Sequence, residues 1–153
     1  MIKWKPLLLS LLISLGVGGL SAFLTKDSME TYKTLKQPPL APPGWIFPIV
    51  WTILFILMGI AAYLVWIKND PNRDTTLLWY AAQLVFNFCW TLLFFNARWF
   101  GVSLLWLLIL WALILITTIK FYRTTPAAGW LMLPYLLWVT FAAYLNAGVW
   151  YLN

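Results

Sequence analysis

Charged residues divide the chain into five uncharged windows, residues 6–25, 37–67, 75–97, 99–119 and 124–153. Each window supplies the roughly 20 residues that a helix needs to cross the hydrocarbon of a bilayer. Inside lipid the backbone N–H and C=O groups have no water to bond, so such a window is satisfied as a helix. The pattern predicts an all-α membrane protein, a single bundle of five transmembrane helices. Their expected spans are about 6–25, 45–67, 75–95, 100–121 and 127–151, with a long connection at 26–44.

The breaks between windows carry their own signals. Pro38, Pro39, Pro42 and Pro43 fix φ and push the residues before them to extended backbone, so this stretch cannot be helical. Just before it, Ser28 to Leu35 predicts a short surface helix. Pro48 falls near the start of the next helix, where a missing N–H costs least. Phe47, Trp51 and Phe55 recur every four residues, and Gly59 continues the row, giving one helix face that is aromatic and ends small. A stiff loop above an aromatic helix face predicts the lid and wall of a pocket for a flat apolar ligand. Further on, Lys68 to Asp74 is a turn-rich stop. The short link Asn96-Ala97-Arg98 forces its two flanking helices to be antiparallel neighbours. The window after it, rich in Leu, Ile and Trp, predicts broad lipid contact. Pro126 opens the last helix.

The first window admits two readings. Lys3, Trp4 and Lys5 before an apolar run resemble a signal peptide, with Leu20-Ser21-Ala22 as a loose cleavage site. The window is long for a signal core, however, and Ser10, Ser14, Gly18 and Ala22 form a small-residue row at four-residue spacing. That row favours a retained helix closely packed on another, within the chain rather than across a dimer.

Composition agrees with the membrane reading: 63% of residues are hydrophobic, 19% aromatic and 9% charged, against about 25% charged in soluble domains. The net charge of +6 comes from ten Lys/Arg over four Asp/Glu. At that density it anchors loops and does not form a nucleic-acid surface. Six basic residues fall on the side of the N-terminus and four on the side of the proline loop. This predicts the N-terminus inside, with the proline loop and C-terminus outside. There is no histidine, and Cys89 is the single cysteine. No disulfide, metal site or other cofactor is expected, and Cys89 reads as a small core hydrophobe.

No ionisable Asp, Glu, Lys, Arg or His lies inside a predicted span, which disfavours proton- or ion-coupled transport. The polar groups within the spans are neutral. Gln83 and Asn87 lie one turn apart, with Trp90, Thr91 and Phe94 extending their stripe. Asn146 lies in line with Trp138 and Ala142, and Tyr135 is about one turn before Trp138. Such amides either tie helices together, at about 0.6–2 kcal/mol per hydrogen bond, or orient a ligand's polar edge in an apolar site. Both readings stay open for Gln83 and Asn87, while packing is favoured for Asn146. Trp4, Trp45, Trp79, Trp99 and Trp150 lie near helix ends, where indoles prefer the membrane interface. Trp51 and Trp138 lie deeper and are better pocket candidates.

These residues together carry a recognisable pattern. Tyr32, Leu35 and Pro38, followed by Pro42, Pro43, Phe47 and Trp51, resemble the translocator protein family, also called tryptophan-rich sensory proteins or peripheral-type benzodiazepine receptors. So do Gln83, Asn87 and Trp90, and the run Pro134, Tyr135, Trp138, Phe141, Ala142, Leu145 and Asn146. The resemblance implies a five-helix bundle, often a homodimer, with a pocket beneath the first loop. It implies binding of porphyrins such as protoporphyrin IX and of synthetic isoquinoline carboxamide or benzodiazepine-type ligands. For some bacterial members it also implies light- and oxygen-dependent breakdown of protoporphyrin. Carried over by motif, the ligand-binding residues are Tyr32, Pro42, Phe47, Trp51, Phe55, Asn87, Trp90, Tyr135, Trp138 and Ala142. Trp51 and Trp138 are the pair the resemblance ties to porphyrin photochemistry. Two departures stand out. Thr31 precedes Tyr32 where the family often has tryptophan, and Gln37 replaces a lysine before the first proline. The chain ends without a basic residue after Tyr151, so the cholesterol-recognition pattern of animal members is missing.

Several functions compete on this basis. The leading one is an integral membrane receptor or sensor for tetrapyrroles in a bacterial cell membrane. An enzyme-like porphyrin degrader finds no general acid, base, metal ligand or activated nucleophile in the membrane, which leaves light- or oxidant-driven radical chemistry through tryptophan. The alternatives are a passive transporter of porphyrins or other apolar solutes, and a structural membrane scaffold.

Overall fold

The computed structural model describes residues 1–153, the side chains of Met29 and Thr31 excepted. The departure noted at Thr31 therefore lies outside the described residues. The chain is all-α and comprises α1 (Trp4–Thr25), α2 (Ser28–Thr34), α3 (Ile46–Lys68), α4 (Arg73–Thr91), α5 (Phe100–Thr124) and α6 (Pro126–Leu152). A π-helical turn, Leu92–Asn96, extends α4. Five segments are long and apolar enough to span a bilayer: α1, α3, α4 with its π turn, α5 and α6. The protein is a multi-pass membrane protein.

The order around the bundle differs from the order along the chain. α1 packs on α3, α3 on α6, α6 on α5, and α5 on α4, whereas α4 and α1 meet only sparsely. The α1–α3 contact explains the small-residue row. Ser10 Oγ donates to Gly59 O at 2.6 Å and Ser14 Oγ donates to Phe55 O at 2.8 Å. A Cβ on Gly18 would lie 2.6 Å from the Phe55 ring, so only glycine lets the helices come this close. The row packs within the chain, which makes α1 an integral wall of the bundle.

Two irregular links set the register of the neighbouring helices. At the end of α4 the Ala97 N–H bonds back to Leu92 O at 3.0 Å, five residues away, and Trp99 N–H reaches Leu93 O at 3.1 Å. Arg98 then adopts a left-handed backbone, φ 55°, and the chain reverses into α5. The proline loop lies across the end of α6. Asn153 clamps Lys36 twice, accepting from its N–H at 3.2 Å and donating to its carbonyl at 2.8 Å. Tyr144 OH donates to Pro39 O at 2.6 Å. Gln37 Nε2 turns back to the Tyr32 carbonyl at 3.3 Å, so the residue that departs from the family pattern closes the end of α2.

Candidate functional site

A cavity of about 340 Å³ opens in the half of the bundle beneath α2 and the proline loop, at the lower end of the size range usual for small-molecule sites. Antiparallel packing explains its make-up. The C-terminal halves of α1, α4 and α6 meet the N-terminal half of α3 at this end of the bundle, and α2 covers them.

The α3 wall is the aromatic face Phe47, Trp51 and Phe55, all lining the cavity. Trp51 and Phe55 are tilted rings 5.8 Å apart, and Phe47 meets Trp138 edge-on at 6.0 Å. Tyr32 descends from α2 onto Phe47, edge to face at 5.5 Å. Burial pushes the Tyr32 phenol up to about 12, so it faces the cavity as a neutral hydroxyl. Asn87 and Trp90 come from α4, and Trp138 and Ala142 from α6. Of the ten residues singled out from the sequence, eight are thus brought together around one space. Tyr135 and Pro42 are not in the lining. Tyr135 is fully buried behind it, with its ring 6.2 Å from Trp51, and Pro42 stays in the covering loop.

Hydrogen bonding separates the structural amides from those still available. Tyr135 OH donates to Gln83 Oε1 at 2.7 Å and accepts from Asn87 Nδ2 at 2.8 Å, which ties α4 to α6. Gln83 is completely buried and does not line the cavity. Asn146 Oδ1 accepts from Trp90 Nε1 at 3.0 Å and from Ser103 Oγ at 3.1 Å, while its Nδ2 donates to Phe100 O at 2.9 Å. Asn146 is therefore a packing node for α4, α5 and α6, although its edge reaches the cavity wall. By contrast, the Trp138 indole N–H is buried and has no acceptor. An unpaired buried donor of this kind is costly unless something else in the site accepts from it.

Sequence reasoning missed two parts of the wall. The first is α1, which contributes Gly18, Ser21, Ala22, Thr25 and, at the mouth, Lys26. Ser21 and Thr25 return their hydroxyls to their own helix, at 2.9 Å to Val17 O and 2.8 Å to Ser21 O, so they present little free polarity. The small-residue row was the available signal, since a helix that lets α3 approach also borders whatever space lies beside α3. The second is Phe95, which joins Phe94, already on the Gln83–Asn87 stripe, in the π turn. The wider turn brings both of these adjacent rings to the cavity, 4.9 Å apart. No residue type in the sequence marks a π turn here.

A bundle of five membrane-spanning helices, four of which line an aromatic, largely apolar cavity under a clamped loop, defines a membrane protein of receptor-like architecture. Comparison with known sequences makes this specific. A model of the TspO/MBR family matches residues 9–152. The chain is 40% identical over 151 residues to the Tryptophan-rich protein TspO of Chlorobaculum tepidum, covering 96% of this chain and 94% of the relative. It is 36% identical over 140 residues to the Tryptophan-rich sensory protein of Cereibacter sphaeroides, covering 92% and 87%. With the Translocator protein of Bos taurus it shares 35% identity over 152 residues, covering 96% and 89%. The chain belongs to the TspO/MBR family.

Proposed function

We propose that this protein is a membrane receptor or sensor that binds protoporphyrin IX or a related tetrapyrrole in the cavity beneath the proline loop. The observation that carries this reading is the cavity of about 340 Å³ walled by Phe47, Trp51, Phe55, Trp90 and Trp138, beside which the Trp138 indole N–H lies buried without an acceptor. A flat ligand that stacks on Trp51 and Phe47 fills the apolar space, and an acceptor on its edge takes up the Trp138 N–H once the indole turns toward it. Isoquinoline carboxamides and benzodiazepine-type ligands meet the same two requirements, having fused or linked rings and a carbonyl oxygen. Light and dioxygen drive breakdown of the bound macrocycle in this reading: the excited ring is oxidised, dioxygen is reduced, and the indoles of Trp51 and Trp138 are the adjoining one-electron relays.

Titration of the purified protein with protoporphyrin IX in the dark, followed by tryptophan quenching, tests the binding. Saturation is expected. Trp51→Phe should weaken it about threefold to tenfold through lost ring contact, and Trp138→Phe about tenfold, since it also removes the free donor. Under illumination in air, the light-dependent product should fall in both variants. Quenching that never saturates, and that matches empty detergent micelles, would dismiss the tetrapyrrole reading.

The protein resides in a bacterial cell membrane, associates as a homodimer, and has its N-terminus inside, on the side with six of its ten basic residues. A single cysteine at Leu40, introduced with Cys89→Ala, is exposed at the tip of the proline loop. It should react with an impermeant maleimide added to intact cells. Labelling only after the cells are opened would reverse the orientation.

A further inference from the structure

Among the residues lining the cavity, Lys26 alone carries a charge. It follows directly on α1, at the end where the helix dipole favours a cation, and its Nζ rests 4.4 Å from the centre of the Phe23 ring. Among the described residues no carboxylate forms an ion pair with it, that of Asp27, the next residue along the chain, included. The acid that could compete from α2, Glu30, bonds Lys33 at 3.4 Å, and the second ion pair, Arg73–Asp74, belongs to the α4 N-terminus. The walls below Lys26 are aromatic and aliphatic, and Ser21 and Thr25 have returned their hydroxyls to the helix. The site is thus strongly polarised: an apolar, aromatic interior, one buried indole donor, and a single cation without a counter-ion at the mouth.

We infer that Lys26 selects ligands carrying an acidic group on a flat apolar body, pairing with that group at the mouth while the body enters the cavity. An anion is favoured there because Lys26, though exposed, stands beside an apolar wall and has no ion-pair partner among the described residues, so an acid whose body is held by that wall can pair with it. The ligand class this points to is an amphiphilic carboxylic acid, in preference to its neutral ester or amide. The inference rests on the porphyrin-receptor reading above for the choice of probe.

The test compares protoporphyrin IX with its dimethyl ester on wild type, Lys26→Met and Lys26→Arg, by tryptophan quenching in detergent. Taking each variant relative to wild type for each probe cancels the different partitioning of acid and ester into micelles. Lys26→Met should weaken the acid up to about fivefold, the range of a solvent-accessible ion pair, and leave the ester unchanged. Lys26→Arg should retain the acid's affinity. Raising the salt concentration should weaken acid binding to wild type and not to Lys26→Met. Equal losses for acid and ester would make Lys26 a packing residue through its stem on Phe23 and overturn the inference, while leaving the pocket assignment intact. An acid affinity unaffected by Lys26→Met would overturn it equally. If neither probe saturates on wild type, the porphyrin reading falls, and the inference falls with it.

Discussion

Asn146→Leu is expected to destabilise the bundle by about 2–4 kcal/mol. Leucine matches asparagine roughly in size, so the loss comes from the hydrogen bonds. Asn146 accepts from the Trp90 indole and from Ser103 Oγ and donates to Phe100 O. These partners do not suffer equally. Ser103 Oγ already reaches Phe100 O at 3.0 Å, so in the variant the hydroxyl and that carbonyl still satisfy each other. The Trp90 N–H, on a side chain that is 7% exposed, has no second acceptor and is orphaned. Ser103→Ala should therefore cost well under half as much. The check is thermal unfolding in detergent, followed by near-ultraviolet circular dichroism, where tryptophan packing reports directly. Because Trp90 forms part of the cavity wall, ligand binding should weaken along with stability. Equal costs for Asn146→Leu and Ser103→Ala would show that α5 contacts, and not the indole, are what the amide secures.

The same node shows what could be read from sequence. The all-α, five-span architecture was legible because charge placement alone divides the chain, and lipid admits only helices there. The aromatic α3 face was legible because a four-residue repeat on a helix needs no tertiary information. The roles of the buried amides were different. Gln83, Asn87 and Asn146 all prove to hold helices together, yet only Asn87 and Asn146 also reach the cavity. That distinction depends on which side chains face them from α5 and α6. The spatial order of the helices, with α3 beside α6 and α1 facing α4 across a loose seam, was invisible for the same reason. Lys26 is the clearest case: it marks the end of an uncharged window, where it reads as an ordinary interfacial anchor. Only the placement of α1 beside α3 turns it into a residue of the cavity mouth.

The covering loop yields the other large effect. Gly148→Val should leave the five spans assembled yet weaken ligand binding by about fivefold to more than a hundredfold. Gly148 sits in the last two turns of α6, and a Cβ there would lie 2.3 Å and 2.5 Å from the ring atoms of Pro38. Pro38 cannot yield locally, because its φ is fixed and it is buried. Nor is the adjacent backbone free: Asn153 clamps Lys36, and Tyr144 holds Pro39 O. The clash is relieved by lifting the loop as a unit, and with it the α2 segment that lowers Tyr32 onto Phe47. Overpacking of this kind costs about 1–3 kcal/mol. Where that cost falls on the closed form of the loop, it converts into a shift of about fivefold to more than a hundredfold in apparent affinity. Tyr144→Phe removes one loop contact without a clash and should weaken binding only a few-fold. Stopped-flow quenching separates these effects from damage to the cavity itself, since a lifted loop should appear chiefly as faster ligand dissociation, with the unfolding temperature little changed. Gly148→Val binding with wild-type kinetics would mean that the loop does not cover the bound ligand, and that the cavity is entered elsewhere, the loose seam between α1 and α4 being the remaining route in this bundle.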